Sequence, residues 1–418
     1  MTTQLTTTQT KAWRNAVFLI FALPGLALAT WVSRLPAVRD SLDIRIDQVG
    51  ILIFGIAAGS IVGLLLSSHI VARLGARRTI LVAMSVCAAG LALAGVGATF
   101  GPVFGVTFAG LLVFGFSSGI TDVAMNVSGA ANERALGKAI MPIFHAFFSF
   151  GTMIGAGLGA LAEFVGLPIA AHLGILAVVM VVGTLIAYPR LQSEHVGADG
   201  EPVEDASHQT WRDRLGIWRD PRTVLIGLIV LAAAFAEGSA NDWLALAMVD
   251  GHHVDNATGA LVFGVFVTAM TAGRLGGVVL LNRFGRVPVL RASFVLAAAG
   301  LLVMIFVPNP WVATAGAVAW GLGAALGFPI GMSAAADDPR TAAARVSAVA
   351  TIGYLAFLAG PPVIGFLGEG LGILNGLLVV LVLCAIGALV SYAAREPERT
   401  ARAEPETDTF ADPGATAP

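Results

Sequence analysis

Long apolar runs broken by short polar punctuation dominate the 418-residue chain. A helix that crosses a bilayer needs about 20 predominantly apolar residues. Twelve such runs can be marked off. In the first half they lie near 13–33, 49–70, 79–99, 103–128, 140–163 and 169–189. In the second half they lie near 222–249, 258–281, 288–308, 311–333, 346–367 and 372–394. Between the halves, residues 190–221 form the one long hydrophilic interior stretch and read as a linker. Residues 1–12 read as an N-terminal tail, and residues 395–418, rich in Glu, Thr, Ala and Pro, as a disordered tail. The predicted fold is an all-α membrane protein of two pseudo-symmetric six-helix bundles.

The halves also repeat in sequence. Ala72-Arg73-Leu74-Gly75-Ala76 after run 2 matches Asn282-Arg283-Phe284-Gly285-Arg286 after run 8. Trp31 and Trp243 occupy related places in runs 1 and 7, and Ser128 to Glu133 echoes Ser333 to Asp338. Parallel six-helix repeats joined by a linker mark one secondary-transporter architecture.

Composition narrows the class. Hydrophobic residues make up 57% of the chain and charged residues 12%, against about a quarter charged in soluble domains. Water is therefore the wrong solvent for most of this surface. Net charge is −2, with no basic footprint for nucleic acid. Placing the N-terminus in the cytoplasm puts 20 of the 24 Lys and Arg on the inner side, as the positive-inside rule requires. Only Arg34, Arg39 and Arg45 then fall outside, and Arg274 falls within a run. The expectation is a multi-pass inner-membrane protein with both termini cytoplasmic. Cys87 and Cys384 sit in apolar runs and read as small core residues. The run after Lys11 and Arg14 has the look of a secretory signal, but it continues through Trp31 and reads as the first span.

Several residues carry a family resemblance. Ser68-His69-Ile70-Val71-Ala72-Arg73-Leu74-Gly75-Ala76-Arg77-Arg78 resembles the Gly-x-Leu-Ala-Asp-Arg-x-Gly-Arg-Arg motif of the major facilitator superfamily. Arg73, Gly75 and Arg77 match it, and Arg283 and Gly285 match its second copy. Ser68 replaces the first glycine, Ala72 the aspartate, and Asn282 the aspartate of the second copy. In that family the acid helps latch the halves on the cytoplasmic side, so the resemblance implies a weaker or different latch here. Arg34 to Asp40, Asp122 to Asn126 and Glu237 to Trp243 further resemble a bacterial subgroup. That subgroup includes the membrane protein of rhizopine loci and is distantly similar to fucose-type permeases. The resemblance implies a polar, polyol-like ligand.

Ionisable residues inside a bilayer are costly and point to function. Glu237 lies deep in run 7 among alanines, where desolvation disfavours its charged form, as suits a reversible proton carrier. Asn241 follows at i+4 on the same face. Asp242 and Arg34, near the outer ends of runs 7 and 1, are a candidate gate pair, or both are simply hydrated there. Trp31 and Trp243 either stack on a sugar-like ring or anchor the interface. Asp122 and Asn126, spaced i and i+4, lie level with His145, which titrates near neutral pH. They form a proton relay or a polar brace with Glu133 and Arg134. Arg274 either snorkels to the inner interface or pairs with an acid across the halves.

Other motifs fall away. Gly151 to Gly159 partly resembles an antiporter motif, but small-residue packing explains it. Gly115-Phe116-Ser117-Ser118-Gly119 spells a hydrolase pattern in mid-span, without the strand-to-helix turn that such a nucleophile needs. No phosphate-binding G-x-x-x-x-G-K-[ST] occurs, which argues against a built-in ATP motor. His252 and His253 share an outer loop and read as solvated. No enzyme activity, cofactor or metal is expected. The expected function is proton-coupled symport of a small polar solute by a monomer, with proton-antiport efflux of amphipathic compounds as the alternative. A non-transporting receptor is a third class.

Overall fold

The computed structural model describes residues 5–137, 140–192, 217–337 and 341–396. The first half contains α1 (Thr7–Ser33), the short α2 (Leu35–Leu42), α3 (Ile46–Thr99), α4 (Phe104–Leu136), α5 (Met141–Phe164) and α6 (Ile169–Ala187). The second contains α7 (Pro221–Leu246), α8 (Asn256–Phe284), α9 (Arg286–Phe306), α10 (Pro310–Ala324), α11 (Gly327–Ala335), α12 (Ala342–Leu371), α13 (Ile373–Gly376) and α14 (Leu378–Val390). Eleven helical segments are long and apolar enough to cross a membrane. The 54-residue α3 holds two spans, so the described residues make twelve.

Local chemistry sets the ends. Thr6 and Gln9 close a capping box at the start of α1. Asp220, Asp255 and Asn309 accept backbone N–H groups at the starts of α7, α8 and α10, filling donors that a helix start leaves open. The motif glycines mark the repeat. Gly75 breaks α3 at φ 75°, ψ 153°, and Gly285 separates α8 from α9 at φ 75°, ψ 174°. Only glycine adopts that conformation readily.

Two expected bounds shift. The helix of the first span begins at Thr7, inside the expected tail. The fourth runs on to Leu136, so Ser128 to Glu133 is helical. Most of the expected linker and nearly all of the C-terminal tail lie outside the described residues.

Within each half, small residues let backbones touch. A Cβ on Gly63 would sit 2.0 Å from the Phe116 carbonyl oxygen, and one on Gly119 2.3 Å from that of Ser60. The Gly151 to Gly159 run packs against α1 in the same way, at Ala22, Leu26 and Ser33. These contacts account for the run without any role in exchange.

The halves meet differently at the two faces. At the face away from the termini (the distal face), Arg39 of α2 pairs with Asp250, just beyond α7. Glu369 of α12 accepts the Ile46 amide at 3.1 Å and lies 3.6 Å from Arg45. At the face carrying the termini, every described ion pair stays within the second half: Arg222–Asp337, Arg286–Asp337, Arg286–Glu396 and Arg345–Asp220. Among the described residues, ion pairs thus join the halves only at the distal face.

Candidate functional site

Between the halves lies a cavity of about 320 Å³. Trp31, Ser60, Phe114, Ser118, Asp122 and Phe148 line it from the first half. Gly238, Asn241, Asp242, Tyr354 and Phe357 line it from the second. On α7, positions 238, 241 and 242 recur at i, i+3 and i+4, so one face of that helix serves the cavity. Asp122 and Tyr354 are exposed, and the distal seam closes the other end.

Glu237 sits one step around α7 in an adjoining cleft, which Asn241, Leu28, Val32 and Phe148 share with the main cavity. Its two carboxylate oxygens each accept from Arg274 Nη2 at 2.8 Å. The pair is half-buried, with the Glu237 side chain 22% and the Arg274 side chain 35% exposed. The snorkelling expected of Arg274 is therefore not what the fold makes. The arginine is held at mid-span by an acid of its own half, not by one across the halves. Sequence reasoning singled out both charges without pairing them, although they occupy mid-span positions of consecutive spans.

Asp122, Asn126 and His145 do come together. Asn126 Nδ2 donates to the Asp122 carbonyl at 2.8 Å and to its carboxylate at 3.3 Å. Asp122 and His145 are within electrostatic reach, and His145 also feels Arg274 of the other half. Glu133 serves a different purpose from a brace with them. It accepts the Ile140 and Met141 amides at 2.7 Å each, capping α5. Asn126 does not line the cavity; it holds Asp122.

The expected gate pair is not formed. Arg34 is 3% exposed and lies 3.0 Å from Glu163 of α5, with Nη2 donating to the Leu167 carbonyl at 2.7 Å. Asp242 lines the cavity instead. The reason is rotational: Arg34 faces into its own bundle, whereas Asp242 faces the space between bundles. Glu163 was not singled out from sequence, since a lone acid at the end of a span reads as hydrated. Of the two tryptophans, Trp31 lines the cavity. Trp243 is fully buried, 3.3 Å from where a Cβ on Gly365 would lie, and belongs to the packing of α12. His252 is also buried, its Nε2 2.8 Å from the Met304 carbonyl, so only His253 of that pair is exposed.

The motif residues gather at the terminus face. Arg77 lies over the Tyr188 ring at 4.4 Å and donates to its carbonyl at 3.1 Å. Arg283 lies over Phe284 at 5.3 Å, and Arg73 is exposed. The model of the Major Facilitator Superfamily matches residues 16–277 and 226–415. This chain belongs to that superfamily.

An uncharacterized transporter of the superfamily from Yersinia pestis is 31% identical over 369 residues, 87% of this chain and 92% of its own. The membrane protein MosC of Rhizobium meliloti is 27% identical, covering 94% of this chain and 92% of its own. Among solved structures, an alanine variant of the nucleoside transporter NupG superposes with a TM-score of 0.72 at 17% identity, over 92% of this chain and 98% of its own. An inward-facing bacterial homolog of the human lysosomal transporter Spinster gives 0.70 at 15% identity, over 93% and 98%. Outward-facing FucP gives 0.61 at 16%, over 92% and 98%. At these identities the structures speak for the superfamily fold alone.

Proposed function

We propose that this superfamily member is a proton-coupled symporter that moves a small polar organic solute across a bacterial inner membrane. Both termini are placed in the cytoplasm by the positive-inside rule, so the structure is read as inward-facing. The observation that carries the proposal is the Glu237–Arg274 pair, set beside the cavity with Asn241 shared between them. A deprotonated Glu237 holds Arg274. A proton on the carboxylate removes the charge that holds it and frees the guanidinium to move. Such a step couples to transport if the two protonation states favour different inward–outward equilibria. Asp122 and His145 provide a second titratable pair on the facing half. A fucose:proton symporter and a nucleoside transporter among the fold neighbours support a hydroxyl-bearing solute. The chain is read as acting as a monomer without a cofactor.

The test uses the solute that most raises the thermal stability of the purified protein in a metabolite panel. Glu237→Gln is expected to cut its pH-gradient-driven uptake into proteoliposomes at least about tenfold, the loss of a bias of about 1.4 kcal/mol between the two protonation states, while solute counterflow persists. Undiminished gradient-driven uptake would remove Glu237 from the proton path.

A further inference from the structure

We infer that the solute carries a positive charge: an organic cation such as a protonated amine, seated between Asp122 and Asp242. This deepens the proposed function and rests on its reading of the cavity as the solute site. Two of the residues lining the cavity are acidic, and none is Lys, Arg or His. Asp242 accepts no described hydrogen bond and is half-buried where it lines the cavity. Among the described hydrogen bonds, the Asp122 carboxylate receives only that of Asn126, from its own helix. His145 is within reach of Asp122 but is not part of the wall.

The arginine of the adjoining cleft is already engaged. Arg274 gives both of its described hydrogen bonds to Glu237 in the adjoining cleft. A half-buried carboxylate without a counter-charge is costly, and a ligand cation supplies the missing charge. The remaining wall suits that ligand. Trp31, Phe114, Phe148 and Phe357 offer ring faces, which attract cations once water is excluded. An anion would meet two like charges, and a neutral polyol would leave Asp242 uncompensated.

The test is binding to the full-length, detergent-purified chain, followed by thermal unfolding. Benzylamine and cyclohexylamine are each compared with the alcohol of the same shape, benzyl alcohol and cyclohexanol. The amines are expected to bind at least about tenfold more tightly, the scale of one gained charge-assisted hydrogen bond. Asp242→Asn is expected to erase that preference. Unfolding without ligand reports whether this variant folds, and Asp122→Asn carries the same test if it does not. Equal binding of the alcohols, no binding of either amine, or a preference kept in both variants would overturn the proposal. An amine that binds as expected but shows no flux in proteoliposomes would refute the transport reading and leave the cation site standing. Gradient-driven flux of a neutral solute that amines do not inhibit would do the reverse.

Discussion

The two faces use the same kind of interaction for different ends. At the terminus face, Asp337 is 6% exposed and is held by Arg222 at 2.9 Å and Arg286 at 2.7 Å, tying the ends of α7 and α9 to the segment after α11. At the distal face, Arg39–Asp250 and Glu369 with Arg45 and Ile46 join one half to the other. Pairs within a half make a bundle rigid. Pairs between halves set which way the cavity faces, because they exist in only one of the alternating states. The motif departures fit this division. Ala72 and Asn282 cannot supply the latch acid, and Arg286 of the second motif copy turns to Asp337 in its own half.

This comparison breaks if a terminus-face pair proves to control the halves. Asp337→Asn leaves two arginines short of a charge and is expected to cost about 3 kcal/mol of stability, read by thermal unfolding. Spin-label distances between the halves should not change; a changed distance would defeat the division. Gly50→Val tests the distal seam, where a Cβ at Gly50 would lie 2.8 Å from the Pro361 carbonyl oxygen in the other half. Overpacking of about 2 kcal/mol should shift the population towards distally open forms more than tenfold, seen as a lengthened distance across that seam. An unchanged distance distribution would show that the seam is not what closes the cavity.

Smaller effects sharpen the same contrast. Burial works against a charge on Asp220, but the Thr223 hydroxyl and amide, Arg345 and the Arg222 amide outweigh it and hold the carboxyl below its usual range. Its folded value is depressed, so its contribution is present above the unfolded value near about 3.9 and is lost as pH falls through the folded value. Asp220→Asn keeps a good helix cap but loses the charge that faces the α7 N-terminus and Arg345, and should therefore cost about 1 kcal/mol at neutral pH. Its unfolding curve should merge with that of the unaltered protein in acid; a gap that persists there would assign the loss to packing. Asp250→Asn should have the least effect. Arg39 and Asp250 are 18% and 21% exposed, so the variant should move the inward–outward equilibrium by less than about 1 kcal/mol, with the difference fading in high salt. A larger effect that salt leaves unchanged would make this pair, rather than the Gly50 contact, the main distal clasp.

What could be read in advance follows from the range over which each signal acts. The spans, the repeat and the two motif glycines were legible because apolar run length and a glycine-only turn are local properties. Glu237, Asn241, Asp242, Asp122 and Trp31 were legible as candidates, because a polar group in an apolar run is conspicuous wherever the helix packs. Their partners were not. Arg34 took Glu163 rather than Asp242, Arg274 took Glu237, and Trp243 and His252 went into the packing.

By itself, then, the sequence determined that the chain lies in a membrane, how often it crosses, and which costly side chains it carries there. Hydropathy and local turn chemistry settle those matters one helix at a time. Only the tertiary structure decided which charges meet, that the distal face is the closed one, and that two acids share a central cavity whose described wall holds no Lys, Arg or His. Those outcomes depend on how each helix is rotated about its axis and how closely its neighbours approach, and both are set by packing among all twelve spans at once.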